Sequence, residues 1–475
     1  MARINTNVGA LVAQRHLASA NQNLNSTIQR LSSGLRITRG ADDPAGLIVS
    51  ERLRAEISAV GQAISNTQRA SLIIATTEGA LDEVARLLVD VQDLIVEAAN
   101  DGALSEEEIR ANQLQVDSAI ESITRIANST TFAGRQLLNG SLDYITSGTD
   151  YSVIDALNIH SASFGTRPFV PVTVEVTTSA QPAILDYPAG NVTSSVVLEL
   201  QGNLGVATLQ FTSGTAASAM VAAINAVAEA TGVTATLSSN GASGFRIESQ
   251  LLGSRQFVSV RTLSTGGSFQ TVDVNGNPQT RDIGRDAVAT VNGASSLGDG
   301  NHLSIKTGTL DMEIALDQTF GLGTTSFAIT SGGANFQVGP EVNTNLQVGV
   351  GVQSVAATRL GDNNVGFLTQ IQSGGQYSLV AKETHQAQRI VREAIRQVAV
   401  MRGRLGAFEK NTLDTNVNQL GITLENLMAS ESQIRDADFA QETSTLARDQ
   451  ILVQAGTSVL ALAQQTPQSV LQLLG

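Results

Sequence analysis

Apolar side chains recur every seven residues near both ends of the chain. Close to the C-terminus the repeat consists of Phe439, Leu446, Val453 and Leu460. A seven-residue apolar repeat forms a seam that needs a second helix. A second seam is predicted near the N-terminus, at Ile4, Val8, Leu11, Leu24, Ile28, Leu31 and Leu35. The pattern therefore predicts two terminal helices that pair with each other. The C-terminal helix is predicted to end at Pro467.

Apolar spacings of three and four residues predict further helices next to both seams. One helix is expected from Leu53 to about Ala99. Ser105 followed by Glu108 has the form of a capping box, which predicts the start of another helix. On the C-terminal side, helical spacing resumes at about Gln376. A chain with helices at both ends and a different centre must fold back, which predicts an antiparallel bundle.

The centre of the chain, about residues 146–374, loses the helical spacing. Short alternating runs between turn residues predict β-strands there. Residues 190–262 are predicted to form a ββαβββ module, whose helix carries Met220 and Ile224 on one face. The predicted fold class is therefore α+β: a long antiparallel α-helical coiled coil or bundle from both termini, with a β-rich central insertion.

Composition and charge exclude several classes of protein. The chain has 475 residues, no Cys and a net charge of −14. Without Cys there are no disulfides and no thiolate nucleophiles, and the negative charge argues against a nucleic-acid binder. No apolar run is long enough for stable membrane insertion. The first residues lack the pattern of a cleaved signal peptide, which by itself predicts a cytoplasmic protein.

No catalytic, metal or cofactor site is predicted. His16, His160, His302 and His385 are isolated in the sequence. The chain has no His-Glu-x-x-His pair, no nucleophile elbow and no phosphate-binding loop. We therefore expect no enzymatic activity and no cofactor.

Motifs at both ends resemble those of bacterial flagellin, the subunit of the flagellar filament. The motifs are Ile4-Asn-Thr-Asn7, residues 30–36, 42–46 and 76–81 on the N-terminal side, and residues 404–407, 425–427, 432–439 and 450–455 on the C-terminal side. The segment around Ile224-Asn225 resembles a small insert found in many flagellins and named for an Ile-Asn pair.

This resemblance implies a division of the chain into three layers. Residues 1–42 and 435–475 would form a terminal coiled coil, the inner tube. Residues 43–145 and 375–434 would form the helical outer tube, and residues 146–374 a variable surface region. Asp42, Asp43, Pro44 and Gly46 would form the spoke loop between the two tubes, and Asp43-Pro44 suits the start of a helix.

The resemblance also implies the function and the partners. Such a subunit polymerises with copies of itself into the filament used for swimming. It is exported unfolded by the flagellar type III apparatus, so the expected location is extracellular despite the missing signal peptide. Further expected partners are the flagellar cap and hook-associated proteins, and an export chaperone at the C-terminal helix.

One stretch departs from the common flagellin pattern. Residues 89–96 align with the part of flagellin that an animal innate-immune Toll-like receptor recognises, where many members place two arginines and a glutamate. Here those positions are Asp90, Gln92 and Asp93. Replacing a cation by an acid reverses its electrostatic fit to the receptor. We therefore expect weak binding to this receptor.

Two alternatives remain open at this stage. A hook–filament junction protein would share both terminal helices and the export route. A filament subunit with an added adhesive or carbohydrate-binding surface would use the β-rich region for that purpose. The acidic residues between Glu78 and Glu108 are interpreted as a solvated helix face.

Overall fold

The computed structural model describes residues 6–100, 102–238, 244–264 and 269–474, with side chains up to residue 465. The chain divides into two compact units. The first unit comprises residues 1–69, 337–342 and 410–475, and the second comprises residues 70–336 and 343–409. Ile4, one of the predicted seam residues, lies outside the described residues.

Long helices occupy both ends of the chain and strands fill its centre, which confirms the α+β fold class. The described ranges contain eight α-helices: α1 Val8–Ser33, α2 Pro44–Ala98, α3 Glu106–Ser129, α4 Ala217–Ala226, α5 Ala228–Thr231, α6 Thr384–Phe408, α7 Thr415–Arg435 and α8 Phe439–Leu474. A π-helix at Glu409–Asp414 lies between α6 and α7.

Two predicted helix boundaries were wrong. Helix α8 continues through Pro467 to Leu474, since a proline removes one backbone donor from a helix without necessarily ending it. Helix α6 begins at Thr384 and not near Gln376. A short 3-10 turn at Leu379–Ala381 precedes it, and Lys382 has a positive φ of 62° that no continuous helix allows.

Helix α2 has one buried stripe along most of its 55 residues. The buried positions alternate in steps of three and four: Val60, Ala63, Thr67, Ala70, Ile74, Thr77, Leu81, Val84, Leu88, Val91, Ile95 and Ala98. This spacing keeps a single face towards the neighbouring elements. The observed end at Ala98 agrees with the predicted end near Ala99.

Helix α3 begins at the predicted capping box. The Ser105 hydroxyl accepts from the Glu108 backbone N–H at 3.3 Å, and the Glu108 carboxylate accepts from the Ser105 N–H at 2.7 Å. These bonds hold the pKa of Glu108 below its ordinary value. Further along, the buried amide of Gln113 donates to the Ile371 carbonyl and accepts from the Leu379 N–H. It thereby fixes the chain that leads into α6.

Most of the central strands form two sandwiches in the second unit. The strands are β1 Thr131–Phe132, β2 Arg135–Gln136, β3 Tyr144–Ser147, β4 Ile154–Ala162, β5 Val170–Thr178, β6 Ile184–Tyr187, β7 Val196–Gln201, β8 Val206–Phe211, β9 Val233–Leu237, β10 Phe245–Ser249, β11 Phe257–Thr262, β12 Arg281–Ile283, β13 Val288–Val291, β14 Ala294–Ser295, β15 Leu297–Asp299, β16 His302–Lys306, β17 Leu310–Leu316, β18 Gly323–Gly332, β19 Ala334–Gln337, β20 Gln347–Val350, β21 Gly361–Asp362 and β22 Gly366–Phe367. One sandwich packs the sheet β14-β13-β5-β18-β3 on β15-β16-β17-β4 around a shared apolar core.

The other sandwich contains the predicted ββαβββ order, β7-β8-α4-β9-β10-β11. Its two sheets, β12-β11-β7-β8 and β6-β10-β9, share a core with α4, where Met220 and Ile224 are buried as predicted. Strands β6 and β12 come from outside residues 190–262 and complete the sheets. Their pairing was not predicted, because it joins segments that lie far apart in the sequence.

Candidate self-assembly surface

Helices α1 and α8 lie antiparallel in the first unit and contact each other through small and medium-sized side chains. Ala13 is buried in α1, and Gly456 of α8 lies so close that an added Cβ would be 3.2 Å from Leu17 Cδ1. The residues that turn inward follow heptad spacing: Ala13, Leu17, Ala20, Leu24, Thr27 and Leu31 from α1, and Glu442, Leu446, Asp449, Val453, Gly456 and Leu460 from α8. Small residues let two helix backbones approach closely.

Polar contacts fix the register of this pair. The Asn7 amide donates to the Ala463 carbonyl at 2.7 Å, and the Arg30 guanidinium lies 3.5 Å from the Glu442 carboxylate. The side chain of Glu442 is 11% exposed. A buried carboxylate is costly unless it has a partner, so a shifted register that separates this pair is disfavoured.

A set of nine large apolar side chains remains exposed on the same two helices within the described residues. We call it the exposed terminal face: Val8, Leu11, Val12 and Ile28 from α1, and Phe439, Ile451, Leu452, Val459 and Leu462 from α8. Their exposed fractions range from 40% at Val12 to 67% at Ile451. A large exposed apolar patch on a soluble protein marks an interaction surface.

The structure separates the predicted seam residues into two groups. Leu24, Leu31, Leu35, Leu446, Val453 and Leu460 are half-buried, whereas Val8, Leu11, Ile28 and Phe439 belong to the exposed terminal face. Heptad spacing identified the large apolar residues correctly but not which of them contact the partner helix. A groove of about 480 Å³ also runs along the pair, lined by Gly9, His16 and Ala455 among others.

Backbone hydrogen bonds join two short segments of the first unit, residues 34–36 and 435–437, where α1 and α7 end. We call this junction the zipper. The Arg36 N–H donates to the Arg435 carbonyl at 2.7 Å, and the Ala437 N–H donates to the Gly34 carbonyl at 2.9 Å. The Arg36 side chain adds a bond to the Ile434 carbonyl at 2.6 Å. Gly34 has a φ of 72°, a conformation that ends α1 without strain only because the residue is glycine.

Hydrogen bonds to the carboxylates of Asp42 and Asp43 stabilise the predicted spoke loop. Asp42 accepts from the Thr38 hydroxyl at 2.8 Å and from the Arg39 N–H at 3.0 Å, and these bonds hold its pKa below the ordinary value. Asp43 accepts from the Gly46 N–H at 2.9 Å and so caps α2, which starts at Pro44.

Gly46 occupies a position in this loop with no room for a side chain. An added Cβ would lie 2.7 Å from Ile37 Cδ1 and would collide with the Asp43 carboxylate. Ile37 is 1% exposed, so it cannot move aside easily. The cap and the buried isoleucine together require glycine here.

The receptor-type stretch lies on the solvent side of α2. Asp90 and Asp93 are exposed and Gln92 is half-buried, while Val91 faces the core. With Glu97, both acids line a shallow groove of about 480 Å³ between α2 and α3. The surface of this groove is therefore acidic.

The described ranges contain no cluster of side chains suited to metal binding. No group of three or more His, Cys, Asp or Glu side chains in them could hold a metal ion. His16, His302 and His385 are exposed, and His160 lies 3.8 Å from Glu313. Nor does any helix of this part of the chain combine the length and apolar character needed to cross a membrane.

Comparison with known proteins gives a consistent result along the chain. The model of the bacterial flagellin N-terminal helical region matches residues 4–143, that of the C-terminal helical region matches residues 388–474, and the flagellin hook IN motif matches residues 197–249. Polar flagellin F of Vibrio parahaemolyticus is 30% identical over 472 residues, covering 99% of both chains. Flagellin A of Helicobacter pylori is 27% identical over 534 residues, again with 99% of both chains covered. Among solved structures, flagellar hook associated protein-3 of Legionella pneumophila aligns with 81% of this chain and 98% of its own, at 14% identity and a TM-score of 0.32.

Proposed function

Because this chain belongs to the bacterial flagellin family and is a structural subunit of the flagellar filament outside the cell, we propose that its exposed terminal face joins one subunit to the next. The family accounts for a role in motility and for export through the flagellar apparatus. The observation that carries the proposal is the set of nine large apolar side chains left exposed on α1 and α8.

Magnitudes support this use of the exposed terminal face. Fully burying a side chain of the size of Val, Leu, Ile or Phe stabilises by about 1.5–3 kcal/mol. Association costs roughly 4–15 kcal/mol in lost translational and rotational freedom. Several such side chains from each of two subunits therefore offset that cost, whereas a single contact would not.

The layer boundaries proposed from the sequence are supported by the hydrogen-bonded zipper. The zipper joins residues 34–36 to residues 435–437, next to the proposed limits of the inner tube at residues 42 and 435. The capped loop of Asp42, Asp43, Pro44 and Gly46 follows directly and would serve as the spoke. Residues 146–374 would form the outer surface.

The same exposed residues suggest how the subunit is handled before assembly. Phe439, Ile451 and Leu462 would be exposed in any monomer, so we propose that an export chaperone covers α8 until transit. The cap and hook-associated proteins are the further partners proposed. Absence of Cys fits passage as an unfolded chain, since no disulfide can cross-link it.

The proposed interface is tested by electron microscopy of the purified full chain after seeding. We expect long tubes from the wild-type chain and none from a chain that lacks residues 439–475. The double variant Ile451→Gln, Val459→Gln should assemble poorly, whereas Gln454→Ala, an exposed change on the same helix, should assemble normally. Tubes from the double variant would refute the proposed interface, and short rings from the wild-type chain would favour a junction protein.

A further inference from the structure

A small cavity lies between α6 and the strands β4, β17 and β20, within the second unit. Its volume is about 70 Å³, and its polar lining includes His160 of β4, Glu313 of β17 and Arg404 of α6. A water requires roughly 10–15 Å³ of such space. The cavity is thus large enough for several waters or for one small oxyanion.

Two nitrogen atoms in this lining are buried and have no hydrogen-bond partner, His160 Nε2 and Arg404 Nη1. Buried polar atoms of this kind are nearly always paired in folded proteins. Glu313 does not satisfy them: its Oε1 accepts from Arg404 Nη2 at 3.0 Å, and its Oε2 lies 3.8 Å from His160 Nε2, beyond hydrogen-bond distance. The arrangement lacks an acceptor that reaches both nitrogens.

Three pairs of opposite charge lie around the cavity, and Asp362 of β21 adds a further carboxylate that acts on Arg396. On α6, Arg396 donates to Glu393 at 2.8 Å, and Arg404 pairs with Glu313 of β17. Asp311 of β17 lies 4.0 Å from Lys306 of β16 and 3.9 Å from Arg404. The β20 side contributes Val350, Gly351 and Gln353, which carry no charge. Protonation of His160 would add a positive charge directly beside the cavity, where Glu313 lies too far from Nε2 to accept a hydrogen bond.

We propose that this cavity binds a small tetrahedral oxyanion, which accepts hydrogen bonds from Arg404 Nη1 and from a protonated His160 Nε2. The anion supplies the missing acceptor and compensates the charge on the histidine. Burial lowers the pKa of the Arg404 guanidinium, so a second anionic partner stabilises its charged form. Bound there, the anion links α6 to β4. This site is additional to filament assembly and does not depend on the exposed terminal face.

The site also has access to solvent. The side chains of His160, Arg404 and Glu313 are 18%, 33% and 44% exposed. An anion can therefore exchange with the medium in the folded monomer, and its affinity can be measured on the full chain.

The experiment is calorimetric titration of the full-length monomer with inorganic sulfate at pH 5.5 and pH 8, at constant ionic strength set with sodium chloride. Sulfate carries the same charge at both pH values, so any pH dependence belongs to the protein. We expect saturable binding at pH 5.5 that weakens about tenfold or more at pH 8, as His160 loses its proton. His160→Gln should bind about tenfold more weakly at pH 5.5, and the matched exposed change His302→Gln should bind as the wild type does.

A second pair of variants tests the guanidinium. Arg404→Gln should abolish saturable binding, whereas Arg255→Gln, which also breaks an Arg–Asp ion pair but at a 76% exposed side chain, should not. Circular dichroism first establishes that Arg404→Gln is folded, and the His160→Gln result stands without it. The proposal is overturned if wild type shows no saturable binding, which would mean a water-filled cavity, or if His160→Gln binds as tightly as wild type.

Discussion

The hydroxyl of Thr27 donates to Oδ2 of Asp449 at 3.2 Å, joining the first helix of the chain to the last across 422 positions of sequence. Both residues are almost fully buried, at 4% and 3% exposure. A carboxylate in such surroundings needs each of its polar partners. This single bond is therefore a specific determinant of how α1 and α8 pair.

Thr27→Val should destabilise the α1–α8 pair by about 1–3 kcal/mol, because it leaves the Asp449 carboxylate short of a donor while preserving side-chain volume. Hydrogen exchange of α8 amides in the monomer measures the effect. Thr457→Val serves as the control, because that hydroxyl is exposed and bonds only to its own helix at the Gln454 carbonyl. Equal exchange rates in both variants would contradict the role given to Thr27.

Gly46→Ala should lower the free energy of unfolding by about 1–2 kcal/mol, since the new methyl group collides with Ile37 and displaces the Asp43 cap from α2. Chemical denaturation of the monomer gives the value. Gly61→Ala is the matched control in the same helix, where nothing lies within 4 Å of the added carbon. It should instead stabilise by about 0.5–1 kcal/mol. Destabilisation of similar size in both would argue against a special role for the loop.

Asp143 should make the second unit less stable as the pH rises. Burial raises its pKa from 3.8 to about 6, against the hydrogen bond from the Tyr144 N–H and the charge of Arg359. Because the folded-state value is the higher one, the folded state binds the proton more tightly. The stabilisation is complete below about pH 4 and is lost as the pH passes about 6.

Asp143→Asn should therefore be more stable than wild type at pH 8, by on the order of 2–3 kcal/mol, with the difference disappearing near pH 4. Denaturation curves at both pH values test this. Asp150→Asn should show the opposite sign at pH 8, because hydrogen bonds from Ser152 lower the pKa of Asp150. A pH-independent effect of Asp143→Asn would show that burial of this carboxyl is not the cause.

The receptor-type stretch gives a prediction about immune signalling. Purified monomer should be a weak agonist in a reporter-cell assay for the flagellin-sensing Toll-like receptor, because Asp90 presents an acid and Gln92 a neutral amide where many flagellins place arginines. Asp90→Arg with Gln92→Arg should raise signalling about tenfold through restored charge complementarity. Glu121→Arg, an exposed change on α3, should have no such effect. Strong signalling by the wild-type monomer would refute the expectation.

Local periodicity predicted the long helices well because each of their buried positions repeats a simple spacing. In α2 the steps of three and four from Leu81 to Ile95 are visible in the sequence, and those positions are buried as expected. The ββαβββ order was also predicted, since turn residues separate its alternating runs. Such features depend on neighbours within a few positions.

Features set by distant residues were not predictable in this way. Val8 and Phe439 fit the heptads but are 59% and 61% exposed, whereas the small residues Ala13 and Gly456 lie at the contact between the two helices. Strand β6 joins β10 through pairings such as Asp186 with Arg246, which are 60 positions apart. The cavity beside His160 likewise brings together strands and a helix that no sequence motif connects.

The zipper between residues 34–36 and 435–437 turns everything between them into a closed loop of chain. The entropy of closing a loop grows only with the logarithm of its length, so each doubling costs about 0.6 kcal/mol. Residues can therefore be added or removed in the β-rich centre at little cost to the terminal pairing. One short hydrogen-bonded junction leaves the β-rich centre free to diversify while the ends of the chain remain constrained.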